Sequence, residues 1–545
     1  MNKTTAAAAL GLVLIAVAAL GIGLFATRPA KQPNVLIILW DTVRADRMSL
    51  YGYDLSTTPR MAAWAEKQGV VYERAVSPDM WTVPSHASLF TGLPPGTHGA
   101  GFDHRWLDAE RTTLAEHLGA NGYDTFAFSA NPNLSPKRVN LLQGFETIET
   151  SWSRKWRDEV TGHTRDKLIA RDRSTEISPG APGRHHSTGF YNAAPVAHEA
   201  LVQWLDGRQD PGRPWVAYLS YMEAHKPRVP ALGSRKQVAD RRTIKLGLDT
   251  DLSFKNQLLY SYGKLSYTDE ELNAISRVYD AALLDLDGPT ADLLDDLDRR
   301  GILDDTIVVF TADHGEQLGE HQQFGHRSGV YQALLHVPLV ISYPRKLSPH
   351  HVTEPVSNLE IFSTVLHLAG IDPPDSGATP GDLTRTERVA QVFAETLSID
   401  RLGFGKVKKL YPDLTRDVWA NTYRAVVQGD WKLIESISFD THEVMDCELF
   451  NLADDPMETQ DRFDEEGERG LAMAEAAAAW KAQQVPWDPS KGDNVEEDLS
   501  DAAKHQLEIL GYLQEEDDED DGGAAPEPVA DDLEPLPGNR CRPGG

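Results

Sequence analysis

The sequence predicts an α/β fold: one large, mainly parallel sheet flanked by helices, with a smaller C-terminal α+β subdomain. Three observations carry that expectation. From residue 34 onward, short apolar runs alternate with longer helix-like segments, the pattern of strands joined by crossover helices. Polar or charged residues stand directly after four of those runs, where open α/β sheets collect functional groups. After the stretch GIDPPDSGATPGD, residues 370–382, the pattern changes to strand-like runs followed by an Ala-rich helix.

The elements follow in order. Residues 6–26, AAAALGLVLIAVAALGIGLFA, carry no charge. As a helix they would span ~31 Å at ~1.5 Å per residue, enough for a bilayer core of ~30 Å. An uncleaved signal anchor is expected, placing a membrane-anchored chain outside the cytoplasm; a cleaved signal is the rival. Lys3 precedes the segment and Arg28 and Lys31 follow it, so flanking charge does not orient it. Strands are expected at 34–40 (NVLIILW), 125–130 (TFAFSA), 215–221 (WVAYLSY), 306–312 (TIVVFTA) and 338–344 (PLVISYP), and helices at 57–68, 112–121 and 271–299. Residues 151–190 and 228–265 are charged and irregular, as insertions over a sheet would be. YRAVVQGDWKLIES (423–436) and CELFNL (447–452) read as strand-like, and 469–484 as a helix. The expected division is an anchor or signal segment over 1–32, the main domain over 33–375, an α+β subdomain over 376–485 and an acidic, largely disordered tail over 486–545.

Composition excludes some classes of function. A formal net charge of −30 argues against nucleic acid as a partner. Part of that charge is local, in EEDDEDD at 515–521, a solvated run rather than a metal site. Cys447 and Cys541 lie far apart and give neither a readable disulfide framework nor a thiolate zinc site.

The candidate chemistry lies at the strand ends. Asp41 follows the first strand in ILWDTVRAD, and a carboxylate there is costly unless solvated, paired or metal-bound. Asp313 and His314 follow another strand in FTADHGE, where Gly315 would permit the sharp turn that lets both reach one cation. Two carboxylates, an imidazole and a hydroxyl suit zinc or manganese better than calcium, the third option. WTVPSHASLFTG, residues 81–92, reads as a turn entering a helix, with Thr82 just before it. An N-terminus of this kind holds anions, but Thr82 also suits a plain N-cap. His225, in EAHKP past a strand, is a candidate proton donor. His98 and His321 read as structural, and His185 and His186 as a solvated loop.

Several ordered motifs carry a family resemblance: NVLIILWDTVRAD, VPSHASLFTG with PGTHG, YMEAHKPRVP, TIVVFTADHGEQLGEH, VPLVISYP and WKLIES…ELFNLADDP. Over residues 34 to 455 the chain resembles the sulfatase family of the alkaline phosphatase superfamily. The resemblance implies that Asp41, Asp313 and His314 are metal ligands, joined by Thr82 as nucleophile. The sequence also departs from the pattern. The family carries Cys or Ser at the nucleophile position, oxidised to formylglycine, followed by x-Pro-x-Arg; here stand Thr82 and His86. Threonine cannot yield formylglycine, because its β-carbon already bears a methyl group. A family lysine is replaced by His326, twelve residues after His314, and FSANPN with Asn131 replaces a Gly-Lys-Trp-His segment.

These changes bear on mechanism. A sulfated formylglycine hydrate releases sulfate by collapsing to the aldehyde. A threonine ester has no second hydroxyl, so water must attack phosphorus or sulfur, which a metal site supports best for phosphate. Thr82 with Asp41, Asp313 and His314 resembles the set of Thr-dependent phosphodiesterases, lipoteichoic acid synthases and phosphoethanolamine transferases, the last of which also carry a histidine at the His326 spacing. The expectation is a hydrolase of anionic esters with one divalent cation and no formylglycine, phosphate mono- or diesters ahead of sulfate esters. Thr82 would attack, His225 would serve the leaving oxygen, and His326 and His86 would hold the transferring group or complete a weak second metal site. The alternatives are a true sulfuric ester hydrolase, a head-group transferase, and a silent sulfatase fold binding a glycan or lipid head group.

Overall fold

The computed structural model describes residues 32–169, 192–374, 381–385, 391–397, 421–492 and 541. The apolar segment 6–26, the His185–His186 pair and the run 515–521 lie outside the described residues. Among those described, no helix is long and apolar enough to cross a membrane.

The main sheet has eight strands: β1 (Asn34–Trp40), β2 (Val70–Tyr72), β3 (Asp124–Ser129), β4 (Thr147–Thr150), β5 (Trp215–Tyr221), β6 (Thr306–Ala312), β7 (Leu339–Ser342) and β8 (His350–Val352). Their order is β8–β2–β7–β6–β1–β5–β3–β4. The central strands β1, β5 and β6 are buried along their whole length, and such strands need apolar side chains on both faces. That is why they stood out as continuous apolar runs. β7 runs antiparallel to both of its neighbours, so the sheet is mixed. β2, β4 and β8 were not expected from sequence; three or four residues at or near the sheet's edges give too little periodicity.

Helices cover the sheet. The longest, Asp269–Arg299, begins two residues before expectation because Thr268 and Glu271 form a reciprocal capping box. The insertion 228–265 holds three short helices, Leu232–Val238, Arg241–Asp249 and Phe254–Ser261. The last docks Tyr260 on Phe324, ring centroids 4.9 Å apart, beside the hairpin Gln317–Leu318/Phe324–Gly325.

The C-terminal unit is a four-stranded antiparallel sheet, β9 (Val392–Thr396), β10 (Asn421–Gln428), β11 (Trp431–Ser438) and β12 (Val444–Asn451), backed by helix Gly467–Gln483. The run 423–436 is two strands rather than one. Gly429, at φ +56°, opens a two-residue hairpin turn, the position where such turns favour glycine. One face packs Val392, Ala425 and Ile434 onto Val76, Val330 and Leu335 of the main domain. The other takes Met473 and Ala477 of the helix. Cys447 of β12 is disulfide-bonded to Cys541, a pairing that their separation of 94 residues left unreadable in the sequence. Residues just past the helix are docked as well: Trp487 donates its backbone N–H to Gly96 and its indole N–H to Asp108.

Candidate active site

Strand register builds the site. β1 pairs in parallel with β5 and β6, Trp40 lying opposite Tyr221 and Ala312. Asp41 and Asp313, each one residue further on, are therefore neighbours. With His314 they offer ligand atoms all within 4.8 Å of one another, and all three residues are buried.

Each carboxylate has one oxygen bonded and one bare. Asp41 Oδ2 accepts from Asn131 Nδ2 at 2.5 Å. Asp313 Oδ1 accepts the backbone N–H groups of Thr42 at 3.2 Å and His314 at 2.9 Å. Thr42 presents its N–H from a left-handed φ of 61°, rare for a β-branched residue and a sign of imposed geometry. Asp41 Oδ1 and Asp313 Oδ2 are buried without a hydrogen-bond partner. Burial, and then the charge of Asp313, pushes the Asp41 carboxyl well above its usual range. Two buried carboxylates on neighbouring strand ends, each with an oxygen that has no hydrogen-bond partner, are costly unless a cation joins them, so the residues present fit a divalent metal ion.

The imidazole is prepared in the same sense. His314 Nδ1 donates to the Gly315 carbonyl at 2.8 Å, which leaves Nε2 as a lone-pair donor beside Asp313 Oδ2 at 3.3 Å. A bonded outer nitrogen of this kind fixes the tautomer that metal ligation needs. Gly315 does not have a positive φ. Its lack of a side chain serves close approach instead: a Cβ there would lie 2.1 Å from the Ala333 carbonyl oxygen and 3.0 Å from Arg44 Cγ.

The helix Thr82–Thr91 is buried throughout. Trp81 occupies its N-cap position and Thr82 is its first residue, so the N-cap reading of Thr82 is corrected. The Thr82 hydroxyl lies 3.4 Å from His314 Nε2.

The other histidines divide into two groups. His86, one turn along the same helix, donates from Nδ1 to the Thr82 carbonyl at 2.8 Å and accepts from the Tyr218 hydroxyl at Nε2, 2.7 Å. Its Nδ1 lies 3.6 Å from Asp313 Oδ2, and burial lowers its pKa. His225 and His326 lie above, with ring centroids 5.2 Å apart and His326 4.4 Å from the His314 ring. His225 Nδ1 donates to the Lys226 carbonyl at 2.6 Å, and His326 Nδ1 donates to Glu316 Oε1 at 3.0 Å. In the neutral ring each therefore keeps its lone pair on Nε2. Burial, then the neighbouring His326, drives the pKa of His225 well down, while burial and His314 bring His326 to about 4.

Glu316 was not singled out from sequence. It bonds Arg228 as well as His326, and burial with opposing charge leaves Lys226 beside it at about 7. The only sequence signal was its place after the Asp-His pair; the partners arrive through the hairpin and the strand end. His98 and His321 have the structural settings expected of them. His98 is buried against Ser88 at 3.1 Å, and His321 stacks on Tyr331 at 3.7 Å.

Comparison with known proteins bears on the family and the fold. The sulfatase family model matches residues 33–371, and the C-terminal model of N-sulphoglucosamine sulphohydrolase matches residues 319–479. The choline-sulfatase of Rhizobium meliloti is 25% identical over 458 residues, 78% of this chain and 83% of that protein. Arylsulfatase K of Danio rerio is 30% identical over 369 residues, 64% of this chain and 66% of its own length. The ulvan-active sulfatase of Formosa agariphila is 25% identical over 63% of each chain. The chain thus spans just under two thirds of these last two relatives. Among solved structures, the phosphonate monoester hydrolase of Agrobacterium radiobacter superposes with a TM-score of 0.62 at 21% identity, covering 86% of this chain and 100% of that one. A protein in complex with its substrate D-glucosamine-2-N,6-O-disulfate superposes at 0.60 with 18% identity, covering 83% and 98%. A match along most of the main domain, the shared fold and the metal-competent strand ends lead to one conclusion: the chain belongs to the sulfatase family of ester hydrolases.

Proposed function

We propose that the chain hydrolyses anionic esters with Thr82 as nucleophile, and that phosphate mono- or diesters are preferred to sulfate esters. One observation carries the reading: the Thr82 hydroxyl stands at the start of a buried helix, 3.4 Å from Nε2 of His314, which itself lies 3.3 Å from the bare Oδ2 of Asp313. Asp41, Asp313, His314 and Thr82 would hold the divalent cation, manganese or zinc by this donor set, which when bound lowers the hydroxyl pKa and neutralises ester charge.

The residues of the chain then divide the work. The N-terminus of helix Thr82–Thr91 would turn the positive end of its dipole to the anionic group. The Thr82 hydroxyl gives up its proton to solvent, and the Thr82 Oγ–P bond forms as the bond to the leaving oxygen breaks. His225, neutral and bonded at Nδ1, must take up a proton with the anionic ester before it can donate from Nε2 to that oxygen. Water then attacks phosphorus as the Thr82 Oγ–P bond breaks, and a proton of that water restores the Thr82 hydroxyl. His326, whose ring lies 5.2 Å from that of His225 and whose Nδ1 is held by Glu316, would orient the water. His86, bonded at both nitrogens, supports the helix and Asp313 from beneath.

The relatives named for sulfate esters support sulfate ester hydrolysis as a second reading. An extracytoplasmic, membrane-anchored location is part of the proposal, supported by the apolar segment 6–26 and by the Cys447–Cys541 disulfide, since such bonds persist in oxidising compartments.

The test compares p-nitrophenyl phosphate, bis-p-nitrophenyl phosphate and p-nitrophenyl sulfate on the full chain loaded with manganese or zinc. Turnover of a phosphate ester without the sulfate supports the proposal. Turnover of the sulfate alone overturns the phosphate preference, and inertness on all three moves the weight to transfer or binding.

A further inference from the structure

We propose that Asn131 is a positioning residue of the cation site: its amide saturates one oxygen of Asp41 and so reserves the other, Oδ1, for the metal ion. The inference rests on reading Asp41, Asp313 and His314 as metal ligands, and it concerns a residue outside that set.

The local backbone places Asn131. β3 ends at Ser129, Ala130 N–H still bonds Ser220 of β5 at 3.1 Å, and Asn131 N–H turns back onto Ser129 Oγ at 3.1 Å. Asn131 is completely buried. The orientation of its amide is fixed by chemistry, not by choice. Its Oδ1 accepts the Asn133 backbone N–H at 2.8 Å, so the NH₂ group must be the end that meets Asp41 Oδ2, 2.5 Å away.

The two carboxylates of the site are held differently. Asp313 is restrained by backbone donors from Thr42 and His314, which no substitution of those side chains removes. Asp41 is restrained through its carboxylate by a side chain, and among the described residues Asn131 is the donor that the structure shows there. Without it, Asp41 could turn either oxygen, or both, towards the cation, and the ligand atoms would no longer be set within 4.8 Å. The charge of the donor matters too. A lysine or arginine would hold Oδ2 as firmly but would repel a divalent cation, whereas a neutral amide fixes the carboxylate and leaves the site's full negative charge to the metal ion.

The experiment measures Mn²⁺ binding to the full chain by chelator competition, for wild type, Asn131→Ala and Asn131→Leu. The leucine variant fills the amide's volume and guards against collapse of the emptied space. Outer-sphere partners of metal ligands typically contribute about 10- to 100-fold in affinity. Both variants are expected to lose that much while keeping the wild-type circular dichroism spectrum. At saturating Mn²⁺ the KM for a p-nitrophenyl ester should stay near the wild-type value. Wild-type Mn²⁺ affinity with a raised KM would overturn the inference and make Asn131 a substrate contact. Unchanged affinity and unchanged KM would overturn it in favour of simple packing. A wild-type chain that takes up no Mn²⁺ would instead overturn the metal-site reading on which the inference stands.

Discussion

Gly315→Ala is the substitution whose effect follows most directly from geometry. A Cβ at Gly315 would lie 2.1 Å from the Ala333 carbonyl oxygen, whereas real Cβ contacts essentially never fall under 3.0 Å, so the backbone must yield by at least 0.9 Å. It cannot yield towards Arg44, whose Cγ is already 3.0 Å from the same point and whose guanidinium is clamped by Asp46 and Glu320. The displacement falls on the turn that carries His314 and on the 2.7 Å bond from Gly315 N–H to the Leu334 carbonyl. A misplacement of about 1 Å at a reacting centre costs about 100-fold in rate, or ~2.7 kcal/mol. The assay is kcat/KM on the p-nitrophenyl ester that wild type turns over, with Mn²⁺ affinity and melting temperature measured alongside. The expected result is a loss of that size in kcat/KM, with weakened metal binding and a folded protein. A variant with wild-type kcat/KM and metal affinity would refute the view that this close approach sets the His314 turn.

Three further predictions concern other parts of the molecule. Thr82→Ala should abolish turnover while leaving the melting temperature near wild type, and Thr82→Ser should retain activity; turnover by the alanine variant would remove Thr82 from the mechanism. Lys432 and Glu458 form a completely buried ion pair at 2.6 Å, tied to Gln332. Lys432→Met should destabilise the chain by about 3–5 kcal/mol in urea unfolding, and the double variant with Glu458→Leu should recover much of that loss, because an apolar pair leaves no orphaned charge; additive losses would contradict the pairing. Burial, with Asp461 and Asp446 nearby, raises the Glu448 carboxyl to about 7 from 4.5. An acid with a raised folded pKa loses stability as the pH climbs through that window, since the unfolded chain ionises first. Glu448→Gln should therefore raise the melting temperature at about pH 8 and change it little at about pH 4, and equal shifts at both would contradict the assignment.

Much of the fold was legible because the central strands are buried on both faces. β1, β5 and β6 begin and end where their apolar runs do. The hairpin at Gly429, the antiparallel course of β7 and the short edge strands were not legible, since direction and pairing depend on partners distant in sequence. The same divide runs through the site. Asp41, Asp313 and His314 were readable as strand-end residues, and parallel register brings them together. Thr82 was readable as a helix-entry residue, but the approach of its hydroxyl to His314 was not. Glu316 reaches His326 only because the hairpin folds back, and Asn131 reaches Asp41 across β5. Gly315 was noticed for the sharp turn it permits, and the close approach of the Ala333 carbonyl, which also calls for a glycine there, was not legible.

The central claim is that Thr82 forms a covalent ester with the transferred group. The most direct measurement is acid quenching of the metal-loaded chain during turnover of a p-nitrophenyl ester, followed by mass spectrometry of the peptide that contains Thr82. The account predicts a phosphoryl group on Thr82 that disappears when substrate is exhausted. Sustained turnover with Thr82 unmodified throughout, and the group found on no other residue, would mean that water attacks the ester directly and would contradict it.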